Sequence, residues 1–425
     1  MDVYLICYLA SFLFARAEHY YLSGLVLFMA AAYLYWYDYR RTENIVHLRA
    51  LFSFFWVFGQ GMSCLKLSNL QTDWSPVTWI CFLLALTGFW FTFELLERRY
   101  GPEENFRAHY RSRKGYSRAL FEIMAGLTIL SSAAFILEAV VLGFVPLFVR
   151  GVPHAYSSFH ISGVHYFTVS CVLVPAFSVL WFQQEKGRGG WKHIAVIVMD
   201  AAAFLIPILC VSRFQMILAV LLALVVFIVS SRDFQFAYVG IALAVIVPVY
   251  LILTVARSHD VEYLNGIFEM RNSHMPIFIT QPYMYIANNY DNFDCLVRYL
   301  DGFAWGMKSL FPLWALTGLK FLNPALINYP IIVNKEELTT LTLFYDAYYD
   351  FGVVGVAVFA CILGAAAYGL VRGIRRVQNP AGILFYAQIA VYFTFSFFTT
   401  WFSNPATWFY FAVTGAAALY CVWRE

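Results

Sequence analysis

The chain has 425 residues, of which 61% are hydrophobic and only 12% are charged, and its formal net charge at pH 7 is +3. This composition is far too apolar for a soluble domain and predicts a polytopic membrane protein. The small net charge argues against a nucleic-acid partner. The cysteines lie mostly inside apolar runs, so neither a disulfide framework nor a CxxC metal pair is indicated.

Twelve apolar runs follow one another along the chain, and each is interpreted as a transmembrane helix, which needs roughly 20 residues. They are residues 3–15, 20–37, 51–67, 77–96, 119–142, 164–182, 194–211, 214–229, 236–256, 342–370, 383–400 and 407–423. The first run is short, so it would have to be tilted or lie at the interface. Because no internal repeat or low-complexity linker divides the chain, residues 1–425 are predicted to form a single all-α integral membrane domain.

The distribution of lysine and arginine predicts the topology, because positively charged loops stay in the cytoplasm. Six alternate segments carry 18 of the 28 lysines and arginines, namely residues 38–50, 97–118, 183–193, 230–235, 371–379 and 424–425. Both termini are therefore predicted to be cytoplasmic. The large polar loop 257–341, between the ninth and tenth predicted spans, then faces outward, as do residues 144–163 and the tight turn at Ser212 and Arg213.

Five arginines lie in the three outward segments that adjoin the apolar runs: Arg150, Arg213, Arg257, Arg271 and Arg298. Arg213 is held near the hydrocarbon boundary, where a charge without a function is expensive, because its two flanking spans leave almost no loop. Snorkelling to lipid phosphates would explain any one of these arginines, but five on one side favour an anion site. Guanidinium binds phosphate oxygens bidentately and stays charged, so the predicted ligand is a pyrophosphate.

Three outward residues are candidates for a general base, and the sequence does not choose between them. His165 begins a span, Asp291 lies in the large loop, and Asp350 follows Asp346 by four residues on a helix predicted to begin near Thr342. Histidine and carboxylate side chains can both take a proton from a sugar hydroxyl. No H-x-x-x-H or HExxH motif is present, so no metal site is predicted.

Tyrosine, asparagine and aspartate are dense in residues 281–294 of the large loop. Aromatic rings stack on sugar faces, while amides and carboxylates bind hydroxyl groups, so this composition indicates a carbohydrate ligand. An amphipathic stretch follows at 303–322 and is predicted to be a helix on or in the outer leaflet. The candidate sugar-binding residues are Tyr290, Asn292, Asp294, Tyr345 and Tyr349.

A set of features now resembles the O-antigen polymerase (Wzy) family: the twelve predicted spans, Pro-Leu-Phe-Val-Arg at 146–150, the Ser212-Arg213 turn, the long late outer loop, and Tyr-Tyr-Asp-Phe-Gly-Val-Val-Gly at 348–355. The resemblance covers about residues 119–370. It implies a glycosyltransferase-C-like helical fold in the bacterial inner membrane. It also implies an enzyme that joins undecaprenyl-pyrophosphate-linked oligosaccharides on the periplasmic face, with a chain-length regulator of the Wzz type as partner. The family arginines of the two outer loops carry over onto Arg150 and Arg213, and further onto Arg257, Arg271 and Arg298.

The implied reaction uses no metal and no cofactor. Arginines would neutralise the departing pyrophosphate while the acceptor hydroxyl attacks the anomeric carbon with inversion. The same parts would serve an O-antigen ligase, whose acceptor is lipid A core, so the ligase is kept as an alternative. A flippase for lipid-linked oligosaccharides is an alternative of another class, because Glu138 and Asp200 lie inside spans, as relay carboxylates do.

Overall fold

The computed structural model describes residues 1–101, 114–149, 155–185, 190–231 and 261–424, together with residues 239, 240, 244 and 248. The structure is 77% helical. Within this part of the chain no strand occurs, and the one extended pairing is an isolated bridge between Ser68 and Met270. The predicted all-α class is therefore confirmed.

The α-helices of the described residues are, in chain order, α1 (Asp2–Arg16), α2 (Tyr20–Thr42), α3 (Leu48–Cys64), α4 (Pro76–Tyr100), α5 (Lys114–Leu142), α6 (Val164–Val169), α7 (Val174–Gln184), α8 (Trp191–Leu209), α9 (Arg213–Ser230), α10 (Val261–Phe268), α11 (Ile277–Tyr299), α12 (Phe311–Leu316), α13 (Leu319–Leu322), α14 (Tyr345–Gly373), α15 (Ile383–Thr394) and α16 (Pro405–Trp423). A 3₁₀ turn at Ser170–Leu173 joins α6 to α7. Helix α14 begins three residues after the predicted start at Thr342.

Seven helices of the described chain are long and apolar enough to cross a membrane: Pro76–Tyr100, Gly115–Leu142, Val164–Gln184, Trp191–Leu209, Arg213–Ser230, Tyr345–Gly373 and Pro405–Trp423. These helices indicate a multi-pass protein in a lipid bilayer. Four further predicted spans correspond to α1, α2, α3 and α15, which are not among the seven. The predicted span 236–256 lies almost entirely outside the described residues, so the number twelve stays a prediction.

The polar segment 257–341 contains more helix than the sequence suggested. Its main element is α11, which has 23 residues and buries most of its polar side chains. The single amphipathic helix predicted at 303–322 is wrong, because α12 and α13 are separate short helices. The backbone turns between them at Gly318, whose φ of 76° is a left-handed conformation that favours glycine and interrupts a helix.

The chain divides into two compact units. The first unit comprises Met1–Phe106, Asp260–Arg372 and Tyr392–Trp408. The second comprises Arg107–His259, Gly373–Val391 and Phe409–Glu425. Both units are assembled from distant parts of the sequence, and the prediction that residues 1–425 form a single domain stays a prediction.

In the first unit, α11 packs against α3, α4 and α10. The rings of Trp56, Phe82 and Tyr290 form its aromatic centre, with centroids 5.3–5.6 Å apart in tilted and edge-on arrangements that favour attraction between rings. The Tyr290 hydroxyl donates a hydrogen bond to the Trp56 carbonyl at 2.9 Å. Tyr290, predicted to bind sugar, is therefore fully buried in this aromatic cluster.

The second unit packs α5, α7, α8 and α9 against one another. Two of its carboxylates bond to side chains of neighbouring helices. Asp200 accepts a hydrogen bond from the Ser178 hydroxyl at 2.7 Å. Glu122 accepts one from the Tyr420 hydroxyl at 2.6 Å and lies 2.8 Å from the Arg424 guanidinium. Such pairs connect helices within an otherwise apolar bundle.

The predicted topology can be tested by labelling introduced cysteines in sealed right-side-out membrane vesicles with a membrane-impermeant maleimide. Asn272 is exposed and lies in the predicted outward segment, so Asn272→Cys should be labelled without permeabilisation. Gly187→Cys lies in a predicted cytoplasmic loop and should be labelled only after permeabilisation. The parent protein gives the background from the native cysteines. The reverse pattern would place the large polar segment in the cytoplasm.

Candidate functional site

Asp291 on α11 is buried and accepts four hydrogen bonds. Ser63 and Gln71 donate to one carboxylate oxygen, each at 2.8 Å. The other oxygen accepts from the Lys66 ammonium at 2.7 Å and from the Trp74 indole at 2.9 Å. Because all four donors belong to the protein, Asp291 would have to give up a bond before it could bind a substrate hydroxyl. These contacts favour a structural role, and its assignment as a base stays a prediction.

Two further residues of α11, both predicted to bind sugar, also hold neighbouring segments. Asn292 is buried and its amide donates to the carbonyl oxygens of Leu338 at 2.7 Å and Thr340 at 2.9 Å. Asp294 accepts from the amide of Ser75 at 2.7 Å, just before α4 begins. The polar face of α11 therefore binds protein groups, and it fixes the segments on either side.

A cavity of about 930 Å³ lies in the first unit, and we call it the Trp74 cavity. The charged residues that line it are Arg16, Asp73, Asp291, Asp294 and Arg298. Trp74, Tyr299 and Asn334 add aromatic rings and an amide to the wall. Its volume lies within the range of known small-molecule sites, about 300–1,000 Å³.

Positive and negative groups balance in the wall of this cavity. The Arg298 guanidinium, 40% exposed, forms an ion pair with Asp294 and also donates to the backbone carbonyl of Asp73. Asp291 is paired with its buried lysine. Arg16 and the Asp73 carboxylate then contribute one charge of each sign. A balanced wall with rings and amides suits a neutral hydroxylated ligand better than a bare anion.

Helix α14 is interrupted at Phe351 and Gly352, less than two turns after it begins. Gly352 has a φ of 60° and a ψ of −145°, and a Cβ at this position would lie 2.9 Å from the Phe303 ring, so only glycine fits. Just before the break, the Asp350 carboxylate accepts from the amides of Lys308 at 3.1 Å and Ser309 at 2.8 Å. Asp350 thus holds the loop that carries Lys308, and its assignment as a base stays a prediction.

A second cavity of the first unit has a volume of about 420 Å³, and we call it the Asp346 cavity. Asp346 is 5% exposed, and its Oδ1 lies 3.7 Å from the Lys308 ammonium nitrogen. Among the described residues, this oxygen has no hydrogen-bond partner. Leaving a buried acceptor unsatisfied costs about 1–3 kcal/mol, and several other buried side-chain atoms of the described chain, including Oδ1 of Asp200, share this condition. Asp346 combines it with a place in the wall of a cavity.

The two cavities share one segment of backbone, residues 331–334. Ile331 lines the Asp346 cavity, whereas the next three residues line the Trp74 cavity. The Tyr345 hydroxyl accepts from the Ile332 amide at 2.8 Å and donates to the Ile332 carbonyl at 2.7 Å. Tyr345, predicted to bind sugar, therefore anchors the wall common to both cavities.

Tyr349 is the predicted sugar-binding residue with contacts to the wall of the Asp346 cavity. Its ring centroid lies 6.1 Å from that of Tyr329, and the Lys308 ammonium lies 5.3 Å from the Tyr349 centroid. Both neighbours line the cavity. An ammonium over an aromatic face is attracted by the ring quadrupole, so Tyr349 helps to position Lys308.

The second unit contains a histidine and glutamate pair. The His165 Nδ1 atom lies 3.1 Å from both carboxylate oxygens of Glu138, which also accepts from the Ile161 amide at 2.8 Å and the Thr168 hydroxyl at 2.7 Å. The imidazole is 29% exposed. A buried carboxylate that holds Nδ1 orients the ring and leaves Nε2 to exchange a proton. The sequence identified both residues but did not pair them.

The predicted pyrophosphate-binding arginines fall in different parts of the chain, and Arg150 and Arg257 lie outside the described residues. Arg213 is the first residue of α9 in the second unit and is only 6% exposed. Arg271 is exposed in the turn before α11, and Arg298 lines the Trp74 cavity. That all five form one anion site therefore stays a prediction.

Sequence reasoning did not select Arg16, Trp74 or Lys308, each of which lines a cavity. Arg16 ends α1, Trp74 lies between α3 and α4, and Lys308 lies in the stretch interpreted as interfacial. The available signal was an isolated cation or tryptophan in a short segment next to apolar runs. Such residues commonly anchor helices at the membrane interface, so the pattern alone does not indicate a cavity.

The Asp291–Lys66 pair gives a prediction about stability. Asp291→Asn should lower the free energy of unfolding by about 3–5 kcal/mol, because it leaves the buried ammonium of Lys66 without a counter-charge. The double variant Lys66→Met, Asp291→Asn should recover part of that loss. Thermal unfolding of the detergent-purified variants measures both effects. A double variant no more stable than Asp291→Asn would contradict the structural role.

Polar side chains line the Trp74 and Asp346 cavities of the first unit, and Glu138 and His165 form a pair in the second. Function has to be inferred from the chemistry of these residues. Comparisons of the chain with protein-family models, with curated proteins and with solved structures found no match.

Proposed function

We propose that the protein is a membrane glycosyltransferase that polymerises undecaprenyl-pyrophosphate-linked oligosaccharide repeat units of O-antigen or a related surface polysaccharide. The reaction takes place on the periplasmic face of the bacterial inner membrane. The proposal includes twelve spans, a glycosyltransferase-C-like fold, a large outward segment at 257–341 and a chain-length regulator of the Wzz type as partner.

The observation that carries this proposal is the pair of polar cavities on either side of residues 331–334. Polymerisation joins two lipid-linked oligosaccharides, so it requires two carbohydrate sites next to one another. The Trp74 cavity offers rings, an amide and balanced charges, and the Asp346 cavity offers a buried carboxylate. A transporter needs one substrate site that opens to both sides in turn, so two neighbouring sites favour a transferase.

The sidedness of the cavities supports the same proposal. Their lining residues come from positions 16, 70–76, 291–299, 307–346 and 399–405. Every one of these stretches lies in, or at the edge of, a segment that the lysine and arginine distribution assigns to the outer face. A site that uses lipid-linked oligosaccharides after their export has to lie on that face.

Positive groups are available for the departing pyrophosphate. Arg213 begins α9, where the helix amides and the guanidinium both favour an anion. Negative charge that develops on the leaving oxygen is stabilised by such fixed donors. The acceptor hydroxyl attacks from the opposite side of the anomeric carbon, so the configuration inverts.

Deletion of the gene in its host tests the proposal directly. A polymerase deletion should give lipid A core capped with a single repeat unit, visible as one step on a lipopolysaccharide gel. Undecorated core, with long chains retained on undecaprenol, would instead identify a ligase. Lipid-linked repeats trapped in the cytoplasmic leaflet would identify a flippase, and either result would overturn the polymerase proposal.

Arg213 provides a sharper test, because lipid anchoring and phosphate binding differ in what lysine can replace. A snorkelling cation needs only charge and reach, whereas a bidentate clamp needs the guanidinium fork. We expect Arg213→Lys to cut turnover of synthetic lipid-linked repeats by about a hundred-fold and Arg213→Ala to abolish it.

The matched control is Arg40→Lys, which makes the same change at an exposed position in a predicted cytoplasmic segment. This variant should keep wild-type turnover. Unfolding temperatures of all the variants show whether they are folded. Wild-type turnover by the Arg213→Lys protein would contradict pyrophosphate binding and would assign Arg213 to lipid anchoring.

A further inference from the structure

Asp346 and Asp350 precede the break in α14 and lie one helical turn apart, but their surroundings differ. Both oxygens of Asp350 accept hydrogen bonds from backbone amides of the loop that carries Lys308. These donors cannot move away unless the loop detaches. Asp346 lines a cavity instead, and its Oδ1 accepts no hydrogen bond from the described residues. Of the two, Asp346 is therefore the one able to accept a proton from a ligand.

The charge next to Asp346 favours that role. The Lys308 ammonium lies 3.7 Å from Oδ1, which is beyond hydrogen-bonding distance but within ion-pair range. At this separation the ammonium stabilises negative charge on the oxygen. Because Asp350 holds the backbone of Lys308 and the Tyr349 ring lies beside the ammonium, the position of this cation is well defined.

The remaining wall of the Asp346 cavity suits a sugar. Thr400 and Ser403 interact with the carboxyl group through their side chains, and Asn404 adds an amide. Tyr329 contributes an aromatic ring. Hydroxyl and amide groups around an aromatic surface are the groups that bind the hydroxyls and the apolar face of a pyranose. A volume of about 420 Å³ leaves room for such a ligand beside the carboxylate.

We propose that Asp346 is the general base of the polymerisation and that the Asp346 cavity holds the acceptor sugar; this inference rests on the proposed function. The acceptor hydroxyl oxygen forms a bond to the anomeric carbon of the donor. The bond from that carbon to the pyrophosphate oxygen breaks, and its electron pair leaves with undecaprenyl pyrophosphate. The hydroxyl proton passes to the Asp346 carboxylate and then to water. Lys308 acts as a positioning residue whose ammonium offsets part of the cost of negative charge on the buried carboxylate.

The test uses the full-length protein in nanodiscs with synthetic lipid-linked repeat units. Asp346→Asn should lower kcat by about a hundred-fold or more, with KM within about threefold of wild type and an unchanged unfolding temperature. Glu337→Gln makes the same chemical change at an exposed glutamate and should leave kcat and KM unchanged. Asp350→Asn should lower the unfolding temperature, because it removes charge from the anchor of the loop.

Three results would be decisive. An Asp346→Asn protein with kcat within threefold of wild type overturns the assignment of the base, while polymer formation by the wild type keeps the proposed function. Loss of kcat in His165→Gln but not in Asp346→Asn would move the base to His165. Absence of polymer with the wild type, with lipid-linked repeats and a reconstituted chain-length regulator present, overturns the proposed function itself.

A second variant decides the matter if Asp346→Asn unfolds at a lower temperature. Asp346→Ala leaves space in the cavity that sodium formate can enter, and formate supplies a carboxylate. Formate should raise the kcat of Asp346→Ala at least tenfold and leave wild-type kcat unchanged. A purely structural loss would not be restored in this way, so no increase with formate overturns the proposal.

Discussion

The burial of a polar helix is the constraint on which the first unit depends. Amides and carboxylates withdrawn from water must be hydrogen-bonded, and α11 buries a run of them between residues 288 and 294. Their partners come from the segment between α3 and α4, from residues 334–340 and from Phe397. Hydrogen bonds therefore locate these distant segments relative to one another, and both cavities lie where such segments meet.

The break at Phe351 and Gly352 divides α14 into two parts that make different contacts. Before the break, Asp350 holds the loop of Lys308, and Asp346 faces the cavity that Lys308 also lines. After the break, Gly364 brings the helix against α4, since a Cβ there would lie 2.4 Å from the Phe89 carbonyl oxygen. In an uninterrupted helix, Gly364 could still pack against α4, but residues 345–350 would meet the Lys308 loop in a different direction.

Composition and hydropathy predicted the helical class and many boundaries well, because burial in a bilayer selects long apolar runs. Helix α8, for instance, spans Trp191–Leu209 where residues 194–211 were predicted. The role of the polar segment could not be predicted in the same way. Lys66 and Asp291 are 225 residues apart, and hydropathy says nothing about which distant cation will satisfy a given carboxylate. From the sequence alone, a polar residue that pairs with another protein group therefore cannot be distinguished from one that binds a ligand.

Hydrogen bonds at two points hold the partition between the two cavities. The Tyr345 hydroxyl bonds to both the amide and the carbonyl of Ile332, and Asn334 bonds to Asn288 and Asn292 of α11. Because the partition is one stretch of backbone, the two volumes are complementary: a displacement of residues 331–334 that enlarges one compartment reduces the other.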